Sequence, residues 1–476
     1  MLFVLSLTTH LAQGIEQSIP NNILLLIGLL LAMVILAVMA PRLHIPYPIL
    51  LVLGGLLLGF IPGLPRLTLN PDVMFFLFLP PLLYSSAWLT SWQDFRANLR
   101  PIGQLALVLV LITTVGVAVV VHFLIPGIPW AVAFVLGAIV SPTDAVAATA
   151  IAQQLGVPQR IVTILEGESL LNDATGLVAY RFAVAAVVSS VFSLGNASLQ
   201  FVIVSAGGII VGLLIGWSLC YIHRWMNNPP LEITLTLITP YAVYILCEEV
   251  LHVSGVLATV TTGLFLARRA SVFFSSETRL QAYSVWNMII FLFNGLVLIL
   301  IGLQLPGILD IISKTTVQHT PLYLIWYAIA VSLTVIMIRL LWIFPATWIP
   351  RLSRRVRERD PYPGWKPVLL IGWTGMRGAV SLAAALALPE VTAQGAAFPE
   401  RALVIYLTFG VIIATLVVQG LSLPLLVRIL NIHDNGAGEQ REEKARIAAA
   451  LTRLDELAEL AEVPTDLAQH LRKHYE

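Results

Sequence analysis

Apolar stretches approaching twenty residues recur from one end of this chain to the other, and they restrict it to a small set of folds. Thirteen can be marked, near 22–40, 46–62, 71–89, 101–125, 130–153, 161–189, 199–222, 231–248, 255–267, 280–304, 320–346, 367–388 and 402–430. A helix of about 20 residues crosses a hydrocarbon layer of about 30 Å. No water is available there for backbone groups, so each stretch must satisfy its own hydrogen bonds as a helix. Charge content agrees: 11% of the 476 residues are charged and 58% are hydrophobic. Soluble proteins carry about 25% charged residues. The expected fold is an all-α polytopic membrane protein with about 13 transmembrane helices.

The connecting loops set the orientation. Arg42, Arg96, Arg100, Arg160, Arg224, Arg268, Arg269, Arg279, Arg351, Arg354, Arg355, Arg357, Arg359 and Lys366 fall in one alternating set of connections. Only Arg66, Lys314 and Arg401 fall in the other. Basic loops stay cytoplasmic, which predicts an outside N-terminus and a cytoplasmic C-terminus in the cell (inner) membrane. Residues 1–431 read as a transmembrane domain; the apolar lead-in at 1–13 lacks the basic start of a signal peptide. Residues 432–476 carry Glu442, Glu443, Lys444 and Arg446, with Ile447, Leu451, Leu454 and Leu457 at helical spacing until Pro464. That pattern predicts a cytoplasmic amphipathic helical tail, and its stop at Glu476 without a terminator suggests truncation. A formal net charge of +1 gives no reason to expect a nucleic-acid partner. Cys220 and Cys247 sit in separate apolar runs and are expected to stay reduced.

Ionisable side chains at the bilayer centre cost roughly 2.5–3.5 kcal/mol even on lenient scales, so each needs a reason. They cluster in three segments. The fifth reads Gly137-Ala-Ile-Val-Ser141-Pro142-Thr143-Asp144. Pro142 lacks an amide donor and disfavours helix at Ser141, so the helix breaks there. Ser141 or Thr143 is expected to cap the second half, with Asp144 in its first turn. A simple proline kink explains the break but not a carboxylate at mid-membrane. The sixth segment reads Glu166-Gly-Glu168-Ser169-Leu-Leu-Asn172-Asp173. Ser169 and Asp173 stand at i and i+4, as do Glu168 and Asn172, so both pairs point into one sector. Carboxylates there face an aqueous cavity, bind cations or pair with arginine; Glu166, nearest the cytoplasmic end, simply reaches water. Such hard oxygen donors suit Na⁺ or a proton.

The twelfth segment reads Gly372-Trp-Thr374-Gly375-Met-Arg377-Gly378. Three glycines each weaken a helix by roughly 1 kcal/mol relative to alanine. Close packing accounts for the glycines but not for Arg377, which needs a buried anion; Glu168 is the candidate. Arg339 and Arg181 also lie in apolar runs, where snorkelling or local pairing serves as well as function. If six spans, a linker span and six more make up the chain, the fifth and twelfth are equivalent. Two inverted six-helix repeats with discontinuous crossing helices are then expected, and transporter sites form where such helices cross.

Ser141-Pro-Thr-Asp-Ala, Glu168-Ser-Leu-Leu-Asn172-Asp173 and Gly375-Met-Arg377-Gly-Ala-Val-Ser resemble the cation:proton antiporter-1 family of bacterial NhaP-type proteins and animal sodium/hydrogen exchangers. Phe78-Leu-Pro80-Pro81-Leu-Leu is similar as well. The resemblance runs over roughly residues 20–430. It implies a homodimer of thirteen-helix protomers in lipid, exchanging Na⁺, and Li⁺ as well, for H⁺ in pH homeostasis without a cofactor. It places the shared cation and proton site at Asp173, lined by Ser169, Asp144 and Thr143 as Na⁺ ligands and supported by Asn172. It makes Glu168 and Arg377 a buried ion pair. This chain departs from many relatives after Pro81, where Tyr84-Ser85-Ser86 replaces a carboxylate.

Other classes fit less well. Gly167-Glu-Ser169-Leu-Leu begins like a nucleophile elbow, but Leu171 stands where glycine is needed. No His-Glu-x-x-His pair occurs. A channel would conduct without regard to proton gradients. Within antiporters, K⁺/H⁺ exchange is the alternative to Na⁺/H⁺ exchange.

Overall fold

The computed structural model describes residues 24–432 except 44, 62–72, 190–193, 227, 316–320 and 361, together with Thr452. The lead-in at 1–13 and the predicted tail beyond residue 432 lie outside the described residues, apart from Thr452. The described residues are helical throughout; their only β pairing is an isolated bridge between Val391 and Ala397.

In chain order the main helices are α1 (Leu24–Leu43), α2 (Tyr47–Gly59), α3 (Met74–Leu89), α4 (Leu99–Leu124), α5 (Trp130–Val140) and α6 (Ala145–Gln154). They continue as α7 (Gln159–Ser189), α8 (Leu194–His223), α9 (Pro229–Val250), α10 (Gly255–Phe273) and α11 (Ser276–Leu303). The last are α12 (Leu305–Thr315), α13 (Pro321–Trp348), α14 (Trp365–Trp373), α15 (Ala379–Leu386) and α16 (Arg401–Leu430). Nine helical stretches among the described residues are long and apolar enough to cross a membrane, fewer than the thirteen expected. The difference has local causes. The apolar helices α2 and α3 are short, α10 carries Arg268 and Arg269 within its 19 residues, and the twelfth segment is broken into α14 and α15.

Two helix groups pack side by side. In one, α4 packs on α5 and α13, α7 on α5, and α16 on α13 and α15. In the other, α8 packs on α10, α10 on α3, and α2 on α11. Small residues allow some of the tightest crossings, as where Gly302 of α11 lies against the Val52 carbonyl of α2. Large apolar side chains such as Leu24, Phe123, Trp217, Leu322 and Ile429 point outward. Lipid tolerates that surface and water does not. The ends of α4, α7 and α13 bearing Arg100, Arg160 and Arg351 line one cavity, so those three basic loops share a face. Both cysteines are buried and unbonded to each other, as composition suggested.

Candidate ion-binding site

Both interruptions expected from Pro142 and the glycines are present. Residues 141–144 separate α5 from α6, and 374–378 separate α14 from α15. They touch: the Asp144 amide donates to the Met376 carbonyl at 2.8 Å. Broken helices leave unpaired amides at each new start and unpaired carbonyls at each new end. Charged side chains meet both needs here. Asp144 itself is the cap of α6, accepting from the Val146 amide at 2.8 Å, and its carboxylate lies against Gly378 at the start of α15. The capping role assigned to Ser141 or Thr143 therefore belongs to Asp144. At the ends of α5 and α14, Arg377 donates to the Ser141 carbonyl, and Arg339 donates to the Ile371 carbonyl at 3.0 Å.

Two glycines make this crossing possible. A β-carbon on Gly378 would occupy the space of the Asp144 carboxylate, and one on Gly375 would strike the Arg339 side chain. Their spacing in the sequence thus reflects the close passage of two charged groups rather than helix packing alone.

The expected pairing of Glu168 with Arg377 is not what the structure shows. Arg339 of α13 holds Glu168 with both terminal nitrogens, one at 2.8 Å, and both side chains are 1% exposed. Arg377 is fully buried, but Nε and one terminal nitrogen have no hydrogen-bond partner among the described residues. Sequence spacing could not choose between two arginines in different segments. Reach decides it, because α13 lies beside the α14 end while Arg377 turns toward Ser141. Arg181, the other arginine left open, pairs with Glu248 of α9.

The remaining polar residues form a chain around Glu168. Thr143 donates to Glu168 at 2.9 Å, and Asn172 donates to the Thr143 hydroxyl at 2.6 Å. Ser169 accepts the Ala145 amide at 3.2 Å. Asp173 is 8% exposed and has no hydrogen-bond or ion-pair partner among the described residues. With Asp144, Ser169 and Thr143 it lines a cavity of about 320 Å³. Glu166 lines it too, and no arginine, lysine or histidine does. Asn287 and Asn294 of α11 and Tyr47 of α2 complete the wall. Sequence reasoning missed these three because single uncharged polar residues, two within the long α11 and one at the start of α2, carry no signal of their own. Of the Tyr84-Ser85-Ser86 stretch, Ser86 reaches the cavity, whereas Tyr84 packs against Trp88 and Trp286.

Long apolar helices, two interrupted crossing segments and buried carboxylates at the break define a multi-pass membrane transporter of the cation/proton antiporter class. The chain belongs to the sodium/hydrogen exchanger transmembrane family, whose sequence pattern matches residues 28–429. It is 36% identical over 474 residues to the uncharacterized Na(+)/H(+) exchanger of Mycobacterium tuberculosis, covering 97% of this chain and 85% of that one. The sodium, potassium, lithium and rubidium/H(+) antiporter of Bacillus pumilus is 36% identical over 389 residues, which span 80% of this chain and 58% of the relative. The fold is similar to the sodium proton antiporter MjNhaP1 of Methanocaldococcus jannaschii, with a TM-score of 0.65 at 19% identity over 86% of this chain and 99% of that one.

Two outcomes follow from this geometry. Removing one member of a buried ion pair costs about 3–5 kcal/mol because the survivor is stranded. Glu168→Ala and Arg339→Ala should each lower thermal stability sharply, and the double variant should recover part of the loss. Additive losses in thermal melts would show that the pair is not coupled. Gly378→Ala should displace Asp144 and reduce cation-driven proton flux in everted vesicles by at least about tenfold, since misplacement near 1 Å is that costly. Wild-type flux would refute the close approach.

Proposed function

We propose that the chain exchanges one Na⁺, and Li⁺ as well, for one H⁺ across the cell membrane, with cation and proton competing for Asp173. The observation that carries this reading is the state of Asp173: buried, without a partner, and lining a cavity that holds only acidic charge. Burial penalises its ionised form, so either a proton or a cation relieves the same cost. Asp144, Ser169 and Thr143 would supply further oxygen ligands to Na⁺, which is cargo here, and Asn172 would hold Thr143 in place.

Charge accounting supports a one-for-one exchange. Asp144, Glu168 and Asp173 are the three acidic groups at the crossing itself, Glu166 lying about two turns from Asp173 toward the start of α7 and left out of this count, and Arg339 and Arg377 are its two fixed cations. One negative charge is left over. A single monovalent cation or a single proton neutralises it, so both loaded forms carry the same charge through the membrane. Asn172 beside Asp173 offers no second titrating carboxylate.

The cavity supports alternating access. It reaches Leu89, Gln153 and Glu166, at helix ends that the basic loops assign to the cytoplasm. Just over two turns beyond Asp173 in the other direction, the Arg181–Glu248 pair ties α7 to α9. This conformation is therefore read as open inward and closed outward, with N-terminus outside and C-terminus inside. Two inverted repeats, thirteen spans, a homodimer formed through the helix group lacking Asp173, and a role in pH homeostasis belong to the same proposal. K⁺/H⁺ exchange is the second reading. It is favoured by the Bacillus relative, which is named for sodium, potassium, lithium and rubidium.

Asp173→Asn should abolish proton exchange with every cation while the protein remains folded. Dequenching of a pH dye in everted vesicles, with Na⁺, Li⁺ and K⁺ added in turn, tests this and ranks the cations. Clear cation-dependent flux from the variant would sink the assignment. In proteoliposomes clamped with potassium and valinomycin, the rate of Na⁺-driven proton flux should not change with membrane potential. A systematic change would refute the one-for-one mechanism.

A further inference from the structure

A second cavity, of about 190 Å³, lies away from the ion site where α4, α7, α13 and α14 end together. Its walls are apolar, with Leu105, Ile161, Ile164, Ile343, Val368 and Ile371 among them. Its rim is basic. Arg100, Arg160 and Arg351 line it against a single carboxylate, Asp360, so the lining carries an excess of two positive charges. Asp360 is already shared, accepting from Arg160 at 2.8 Å and from Arg351. Arg160 also donates to Asn98 at 3.0 Å, and Arg351 to the Thr347 and Asp360 carbonyls. Arg100 has no hydrogen-bond or ion-pair partner among the described residues and is exposed.

An apolar slot with an unneutralised guanidinium at its mouth matches a molecule with an anionic head and a hydrocarbon tail. Its place matters. These helix ends belong to the basic loops, so the slot opens at the level of the headgroups of the cytoplasmic leaflet. Basic pockets between transmembrane helices on that side are suited to acidic phospholipids. We infer that this cavity is a binding site for an anionic phospholipid, its phosphate at Arg100 and Arg160 and an acyl chain between α7, α13 and α14.

The site touches the scaffold of the ion site without being part of it. Ile371 contributes the carbonyl that fixes Arg339, and Ile164 lies one turn before Glu168 on α7. An acyl chain filling the slot would hold α7, α13 and α14 at their present spacing. Lipid occupancy therefore stabilises the frame around the Glu168–Arg339 pair. Binding is read here by stability, so the inference does not depend on which cation is exchanged.

The test uses the full chain in neutral detergent, with thermal melts during titration by phosphatidylglycerol or by phosphatidylcholine of the same acyl length. Phosphatidylglycerol should raise the midpoint saturably, and phosphatidylcholine should not. Arg100→Gln should weaken half-saturation about fivefold, the effect of one basic group at an anionic surface. Ala346→Trp fills the slot but keeps every charge, and it should abolish the saturable response. Equal responses to the two lipids, or an undiminished response in both variants, would overturn the site. An equal response to glycerol phosphate would also overturn it, by showing that no acyl chain is recognised. So would a phosphatidylglycerol response that appears only after residues 433–476 are deleted, because the acidic tail would then be the occupant.

Discussion

Two helices broken at mid-membrane must satisfy four sets of backbone ends where no water is available, and the rest of this molecule is arranged around that demand. Leaving such groups unpaired costs several kcal/mol each in hydrocarbon. The chain meets the cost with charges matched to the helix dipole. Negative charge belongs at helix starts and positive charge at helix ends. Asp144 accepts from the first turn of α6 and lies against the start of α15, while Arg377 and Arg339 donate to carbonyls at the ends of α5 and α14. Each cap is also a buried ion, so the backbone solution creates an electrostatic problem of its own. Glu168 answers it for Arg339, and Asp173 is left buried in the cavity with no ion-pair partner among the described residues.

How much of this was legible in the sequence depended on the range of the interaction. Breaks were readable because proline and glycine act on their own neighbours: Pro142 and the run from Gly372 to Gly378 mark both interruptions. The shared sector of Ser169 and Asp173 was readable from helical spacing, and both do line the cavity. Partners across the fold were not readable. Glu168 and Arg339 are 171 positions apart, and nothing local distinguishes Arg339 from Arg377 as a mate for Glu168. Likewise, Asn287 and Asn294 look like ordinary interruptions of an apolar run until α11 is packed opposite α7's carboxylates. Hydropathy gave the segments but not their lengths in space. That is why α2 and α3 fall short of a full span.

The correction of the ion pair changes what Arg377 does. Had it paired with Glu168, its charge would have been absorbed locally, and Arg339 would have been the excess cation. Instead Arg377 is fully buried against one carbonyl, with two nitrogens unpaired among the described residues. An isolated guanidinium in a dry interior is unfavourable unless negative charge lies nearby. The nearest structural link is through the break itself: the Arg377 amide bonds Thr415 at 3.1 Å, and Met376 next to it receives the Asp144 amide. Arg377 is thereby held at the same break as Asp144, outside the lining of the cavity.

That placement bears on how a carboxylate pair can stay in one cavity without collapsing the fold. Asp144 and Asp173 both line it, and two like charges in a low-dielectric site repel strongly. Arg377, held at the same break, is absent from the cavity lining. Its guanidinium donates to the Ser141 carbonyl instead, so it takes up none of the cavity's polar positions. A lining arginine could have paired with Asp173, and none is present. With the fixed positive charge bound to the backbone of the break, Asp173 is left as a buried carboxylate in the cavity whose charge no lining side chain offsets.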